Sequence, residues 1–72
     1  MIKLNKEYIA FLSKNAKELL RYINNGVLNK TKAKEFLDKL YDWIDDFGFN
    51  DEGYYNDKGV MAQKIYDFVY NA

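Results

Sequence analysis

"NKEYIAFLSKNAKELLRYINNG", Asn5 to Gly26, is the stretch whose reading decides the fold. Its apolar residues Tyr8, Ile9, Phe11, Leu12, Ala16, Leu19, Leu20, Tyr22 and Ile23 recur at helical spacing. At ~100° per residue they fill one arc about 180° wide. Lys6, Ser13, Lys14, Lys17, Arg21 and Asn24 fill the opposite arc. Asn5 suits an N-cap. Asn25-Gly26 reads as a helix stop, because glycine tolerates the left-handed conformation that a helix end needs. The pattern predicts one helix over 6–24. Its apolar arc is wider than the ~100° of a one-sided surface helix. It is expected to touch two helices, or one helix and a second subunit.

Downstream, "NKTKAKEFLDKLYDWIDDFG" predicts a second helix over 30–47. Ala33, Phe36, Leu37, Leu40, Tyr41, Ile44 and Phe47 share one face, with Trp43 at its edge. Asn29 or Thr31 caps the start, and Gly48 ends it. A third helix is predicted over 57–70 from "NDKGVMAQKIYDFVYNA". Asn56 caps it, and Asp57 suits its positive dipole end. Met61, Ala62, Ile65, Phe68 and Val69 form its inner face, while Gly59 weakens its first turn slightly. No segment reads as a strand. The expected fold is a single all-α three-helix bundle over 1–72. Helices 1 and 2 are expected to be antiparallel across the short connection "NGVLN".

A chain of 72 residues makes one small domain of marginal stability. Its apolar fraction of 49% and aromatic fraction of 18% exclude a disordered chain. Without cysteine no disulfide can staple it, which fits a reducing cytoplasm. No apolar run approaches the ~20 residues that span a bilayer. Lys3, Asn5, Lys6 and Glu7 interrupt any signal peptide. A cytoplasmic location without a membrane partner is expected. The wealth of Lys, Asn, Tyr, Phe and Ile, with no proline or histidine, suggests an AT-rich genome.

Net charge is zero, yet its distribution is uneven. Residues 1–34 carry seven lysines and Arg21 against Glu7 and Glu18; residues 35–57 carry eight acids against Lys39. A helix prefers anions at its N-terminus and cations at its C-terminus. The second helix inverts this, with Lys30, Lys32 and Lys34 at its start and Asp42, Asp45 and Asp46 at its end. Local rules broken without local gain often mark functional positions. Two readings stand. In an antiparallel pair, Lys3 and Lys6 lie near the end of helix 2 and neutralise its aspartates, leaving a solvated face. Otherwise Glu35, Asp38, Asp42, Asp45 and Asp46, extended by Asp51 and Glu52, form an acidic binding surface.

Tyr54 and Tyr55 belong to that second reading, since tyrosine buries large area at interfaces and keeps a polar handle. At least one of the two is expected to be partly exposed. The alternative has both covering the open end of the bundle. The loop "GFNDEGYY" lacks the alternating acids, glycine and terminal glutamate of a calcium loop, so no metal site is expected.

Three classes of function follow. Catalysis is not expected, because the commonest general base and the best nucleophile are missing with His and Cys. No cofactor signature appears. Nucleic-acid binding would use Lys14, Lys17, Arg21, Lys30, Lys32 and Lys34 as one basic end for phosphate contact. With a single arginine, bidentate reading of guanine is nearly absent. Protein binding fits best: an acidic, tyrosine-bearing face suits the basic groove of a nucleic-acid-handling host protein. Self-assembly into a homodimer is compatible with it.

"GFNDEGYYNDKGVMAQKIYDFVYNA", Gly48 to Ala72, resembles the tails of small accessory proteins of phages and mobile elements of low-GC Gram-positive bacteria. The likeness covers the last third of the chain and contains no diagnostic motif. Such proteins include host-takeover factors and anti-defence inhibitors, among them anti-CRISPR proteins. The resemblance implies an inhibitor in which Asp38, Asp42, Asp45, Asp46, Asp51 and Glu52 contact a basic groove. The basic first half departs from a full mimic of nucleic acid, so mimicry would be limited to one face or shared by a composite interface.

Overall fold

The chain leaves its first α-helix at Asn15 rather than at Asn24. The computed structural model describes residues 1–72 in the order β1 (Ile2–Lys3), α1 (Lys6–Asn15), a 3-10 helix (Lys17–Tyr22), β2 (Ile23–Asn24), β3 (Val27–Leu28), α2 (Lys30–Phe47) and α3 (Asp57–Tyr70). Four helices take up 67% of the residues, and a small three-stranded antiparallel sheet joins them. The fold is therefore mixed α/β, which corrects the expectation of an all-α three-helix bundle. The predicted helices over 30–47 and 57–70 are α2 and α3. The one over 6–24 is not a single element.

Asn15 shows why. Its side-chain amide donates back to the Phe11 carbonyl at 3.1 Å. Its own carbonyl accepts the Trp43 indole N–H at 3.1 Å. Asparagine competes with the helical ladder in this way. Ala16 then turns out of the helix at φ −145°, ψ 59°. The following six residues form a 3-10 helix. At three residues per turn, such a helix keeps nearly helical spacing, so the apolar pattern runs through the break unchanged.

Asn25-Gly26 does not stop a helix but turns a β-hairpin. Both residues have positive φ, 54° and 77°. A two-residue type I′ turn requires that at both positions. Ile23 pairs with Leu28 and Asn24 with Val27. On the other edge of β3, Ile2 pairs with Leu28 and Lys3 with Val27, giving the order β1-β3-β2. The Leu4 N–H extends that edge to the Gly26 carbonyl at 2.9 Å. Ile2, Leu4 and Leu28 are buried.

The helices also run differently from expectation. Tyr8 meets Phe68 edge-on at 5.7 Å, and Phe11 meets Trp43 at 5.8 Å. Further along α1, Lys14 and Asn15 border Asp57 and Lys58. So α1 is antiparallel to α3 and runs the same way as α2, not against it. The 3-10 helix makes the return, setting Tyr22 edge-on to Phe36 at 6.3 Å. Between these layers lies a core with Leu12, Leu19, Leu28, Phe36, Leu40 and Ile65 fully buried. Tyr41 and Phe47, expected on the inner face of helix 2, are 62% and 60% exposed.

Gly48 and Gly59 join α2 to α3 at very close range. A Cβ on Gly59 would lie 2.0 Å from the Gly48 carbonyl oxygen. The glycine that looked like a weak spot in α3 is what lets the two helices touch. Asn56 locks the corner. Its side chain accepts from Gly59 N–H at 2.8 Å and donates to the Phe47 carbonyl at 2.9 Å, and its own N–H reaches the Gly48 carbonyl at 2.9 Å.

Candidate protein-binding surface

Asn29 starts α2 by accepting the Thr31 N–H at 2.9 Å, and Gly48 closes it. The first turn holds no acid and the last turn no base. Asp42, Asp45 and Asp46 are all exposed near the negative end of the dipole. Each misplaced charge costs roughly 0.3–1 kcal/mol at an exposed position. No cation repays it, because the sole ion pair joins Lys34 to Asp38 at 3.6 Å. The expected neutralisation by Lys3 and Lys6 does not occur. The sheet carries Lys3 to Val27, beside the start of α2 and not its end.

The acidic set divides in two. Asp38 belongs to its pair with Lys34. Glu35 lies beside Tyr22, whose ring is overlaid by the Arg21 guanidinium at 5.8 Å. The half-buried Tyr22 phenol is raised above its usual pKa by desolvation first, then by the neighbouring Glu35 carboxylate, with Arg21 opposing. Those two acids therefore sit in mixed-charge surroundings. Asp42, Asp45 and Asp46 remain without a cation and lead toward Asp51 and Glu52, also exposed.

The segment after α2 is ordered by Asn50. Its side-chain oxygen accepts from Glu52 N–H at 2.9 Å and Tyr54 N–H at 3.1 Å, while its N–H donates to the Tyr54 carbonyl at 2.8 Å. Phe49 and Tyr55 bridge across the loop and stack at 4.9 Å. Asp51 and Glu52 occupy its tip. The Tyr55 hydroxyl donates to Gln63 Oε1 at 3.0 Å. Tyr54 is 70% exposed and Tyr55 45%, so neither is shut over the end of the bundle.

The basic set is not gathered into one end. Lys14 borders Asp57 and Lys58, beside the Asn15–Trp43 contact. Trp43 is about 20 Å along α2 from Lys30 at 1.5 Å per residue. Arg21 covers Tyr22 near Phe36. Lys17, Lys32 and Lys34 are exposed. Lys14 therefore lies toward the far end of α2 from Lys30, Lys32 and Lys34. No group of three acids converges closely enough to hold a metal ion. No helix is long and apolar enough to cross a membrane.

Sequence reasoning missed an aromatic strip made by Tyr41, Tyr66 and Tyr70. Tyr41 and Tyr66 have ring centroids 6.5 Å apart, and Tyr66 stacks on Tyr70 at 6.2 Å. The available signal was the i,i+4 pair of tyrosines outside the inner face of α3. No family model, no curated protein and no solved structure matches the chain.

Proposed function

We propose that this chain is a non-enzymatic binding protein whose acidic corner docks on a basic surface of a nucleic-acid-handling protein. The observation that carries the reading is the unpaired aspartate set Asp42, Asp45 and Asp46, continued by a hydrogen-bonded loop that presents Asp51, Glu52, Tyr54 and Tyr55. An unpaired charge at the unfavourable end of a helix lowers the chain's own stability. A basic partner recovers that cost on binding and is steered in by the local field. Exposed Tyr54 supplies apolar area with a polar tip. Occupying a groove that otherwise holds nucleic acid would inhibit its owner without any chemistry, in the manner of anti-defence and anti-CRISPR proteins.

The test separates binding from folding. Reversing Asp42 and Asp46 to lysine puts cations at the end of α2, where each is expected to stabilise the fold by about 0.3–1 kcal/mol. The tagged protein and this variant are used for capture from a low-GC Gram-positive lysate treated with nuclease, at low and moderate salt. The wild type should retain a basic nucleic-acid-handling protein that is lost as salt rises, and the variant should lose it while melting no earlier. Equal capture of that protein by a folded variant would sink the proposal.

A further inference from the structure

One long side of the α2–α3 pair has no partner within the chain. Residues two apart in a helix point to nearly opposite sides. Trp43 and Phe68 face α1, where they meet Phe11 and Tyr8. Tyr41 and Tyr66, two residues before each, therefore face away from α1. With Tyr70 they form an aromatic strip, and the Phe49–Tyr55 stack lies beside its other end, around Tyr41. Tyr41 and Tyr70 are mostly exposed.

The rim of this strip is charged in opposite senses at its two ends. Lys30 and Lys34 border Tyr66 and Tyr70 together with Asp38, which pairs with Lys34 at 3.6 Å, so this end carries a net positive charge through Lys30. Asp45 borders Tyr41, Phe49 and Tyr55. Such a face is complementary to itself once it is rotated by half a turn. We infer that the strip is a two-fold interface with a second copy of this chain, in which the two α2 helices lie antiparallel.

A two-fold axis crossing α2 at the level between Lys39 and Leu40 sets Lys34 opposite the partner's Asp45, and Asp45 opposite the partner's Lys34. The tyrosines then pack on one another at the centre. This arrangement also accounts for the inverted charge of α2. Within one chain, lysines at the start and aspartates at the end oppose the helix dipole. Across an antiparallel pair, each lysine-bearing start faces the negative end of the other helix and its aspartate, so the same charges become favourable. A dimer interface draws about 800 Å² from each partner. One long side of a molecule measuring 37 × 20 × 19 Å is of that order. Asp42 and Asp46 lie around the helix from Tyr41, outside the strip, so the dimer takes up Asp45 but leaves Asp42 and Asp46 of each copy to the basic partner proposed above.

Sedimentation equilibrium from micromolar to millimolar concentration tests this, with far-UV circular dichroism confirming the fold of each variant. The wild type should dimerise, more weakly as salt rises. Tyr41→Glu should weaken the dimer about a hundredfold, by placing a charge at its apolar centre. Lys34→Glu and Asp45→Lys should each weaken it about tenfold, and the double variant should recover most of the wild-type constant. Lys34 and Asp45 are about 16 Å apart along α2, so recovery must come from contact between copies. A chain that stays monomeric throughout overturns the inference, as does a dimer that none of these changes weakens. Reversal of Asp42 and Asp46 should leave the constant unchanged, so this result and the capture result fail independently.

Discussion

The chain turns at two glycine-bearing corners, and the glycines meet opposite demands. At Asn25-Gly26 the demand is conformational. Both residues sit at positive φ, but the turn is open, and a Cβ on Gly26 would meet only the Leu4 carbonyl oxygen at 3.9 Å. At Gly48 and Gly59 the demand is for space. Neither has a positive φ, yet a Cβ on Gly59 would lie 2.0 Å from the Gly48 carbonyl oxygen, and one on Gly48 would lie 2.7 Å from the Ile44 carbonyl oxygen and 3.2 Å from the Gly59 Cα. The first corner needs residues that tolerate a left-handed backbone, a local cost. The second needs the absence of an atom, and failure there separates α2 from α3, the most extensive packing in the molecule.

The largest effect is therefore expected at the crowded corner. Gly59→Ala should improve local helix propensity by up to about 1 kcal/mol. It should nonetheless destabilise the protein by about 3 kcal/mol or more, because a methyl 2.0 Å from a backbone oxygen must push two helices apart. In a domain this small that loss should abolish a cooperative thermal transition near room temperature. A melt equal to or above that of the wild type would show that the helices do not meet there.

A smaller effect is expected at the open corner, and it distinguishes a hairpin from a helix stop. A stop needs positive φ only at Gly26, leaving Asn25 in ordinary helical backbone. The type I′ turn needs it at both. Asn25→Val should cost about 1–2 kcal/mol, since a β-branched residue resists the left-handed region. Asn25→Gly should be nearly neutral. Urea denaturation measures both. If valine costs no more than its modest helix propensity, the hairpin is not formed.

The same contrast explains what was legible in the sequence. α2 and α3 were readable because their signals lie within each element: a repeat of apolar residues, an asparagine cap at Asn29 and Asn56, and an end at Gly48. The stretch from Asn15 to Leu28 was not. The 3-10 helix preserves helical spacing, and Asn-Gly serves both as helix stop and as hairpin turn. The choice rests on Ile2 and Lys3, which pair with β3 from the far end of this half of the chain. Strands of two residues are too short to show alternation. Among the surface residues, the aspartates were readable from charge order alone. The exposure of Tyr41 was not, because it depends on which side of α2 is covered by α1, a matter of chain direction that the misread first helix reversed.

Alkaline pH offers the mildest way to separate the corners, since it acts at one of them. Tyr22 precedes the hairpin and ties it to α2 through Phe36 and Glu35. Desolvation, then the nearby Glu35 carboxylate, raise its phenol above the usual value, against the opposing pull of Arg21. The unfolded chain's phenol ionises first, near about pH 10. Below that pH the contribution of Tyr22 is fully present, and it is lost as pH rises through the folded value. The crowded corner is made of backbone and glycine contacts and has no phenol in it. Tyr22→Phe should therefore resemble the wild type near neutrality in its pH trend and show a shallower fall in urea midpoint above pH ~10. Six other tyrosines supply a common background to both proteins, so the difference between the two slopes isolates Tyr22. Identical alkaline slopes would mean that the phenol does not hold the hairpin to α2.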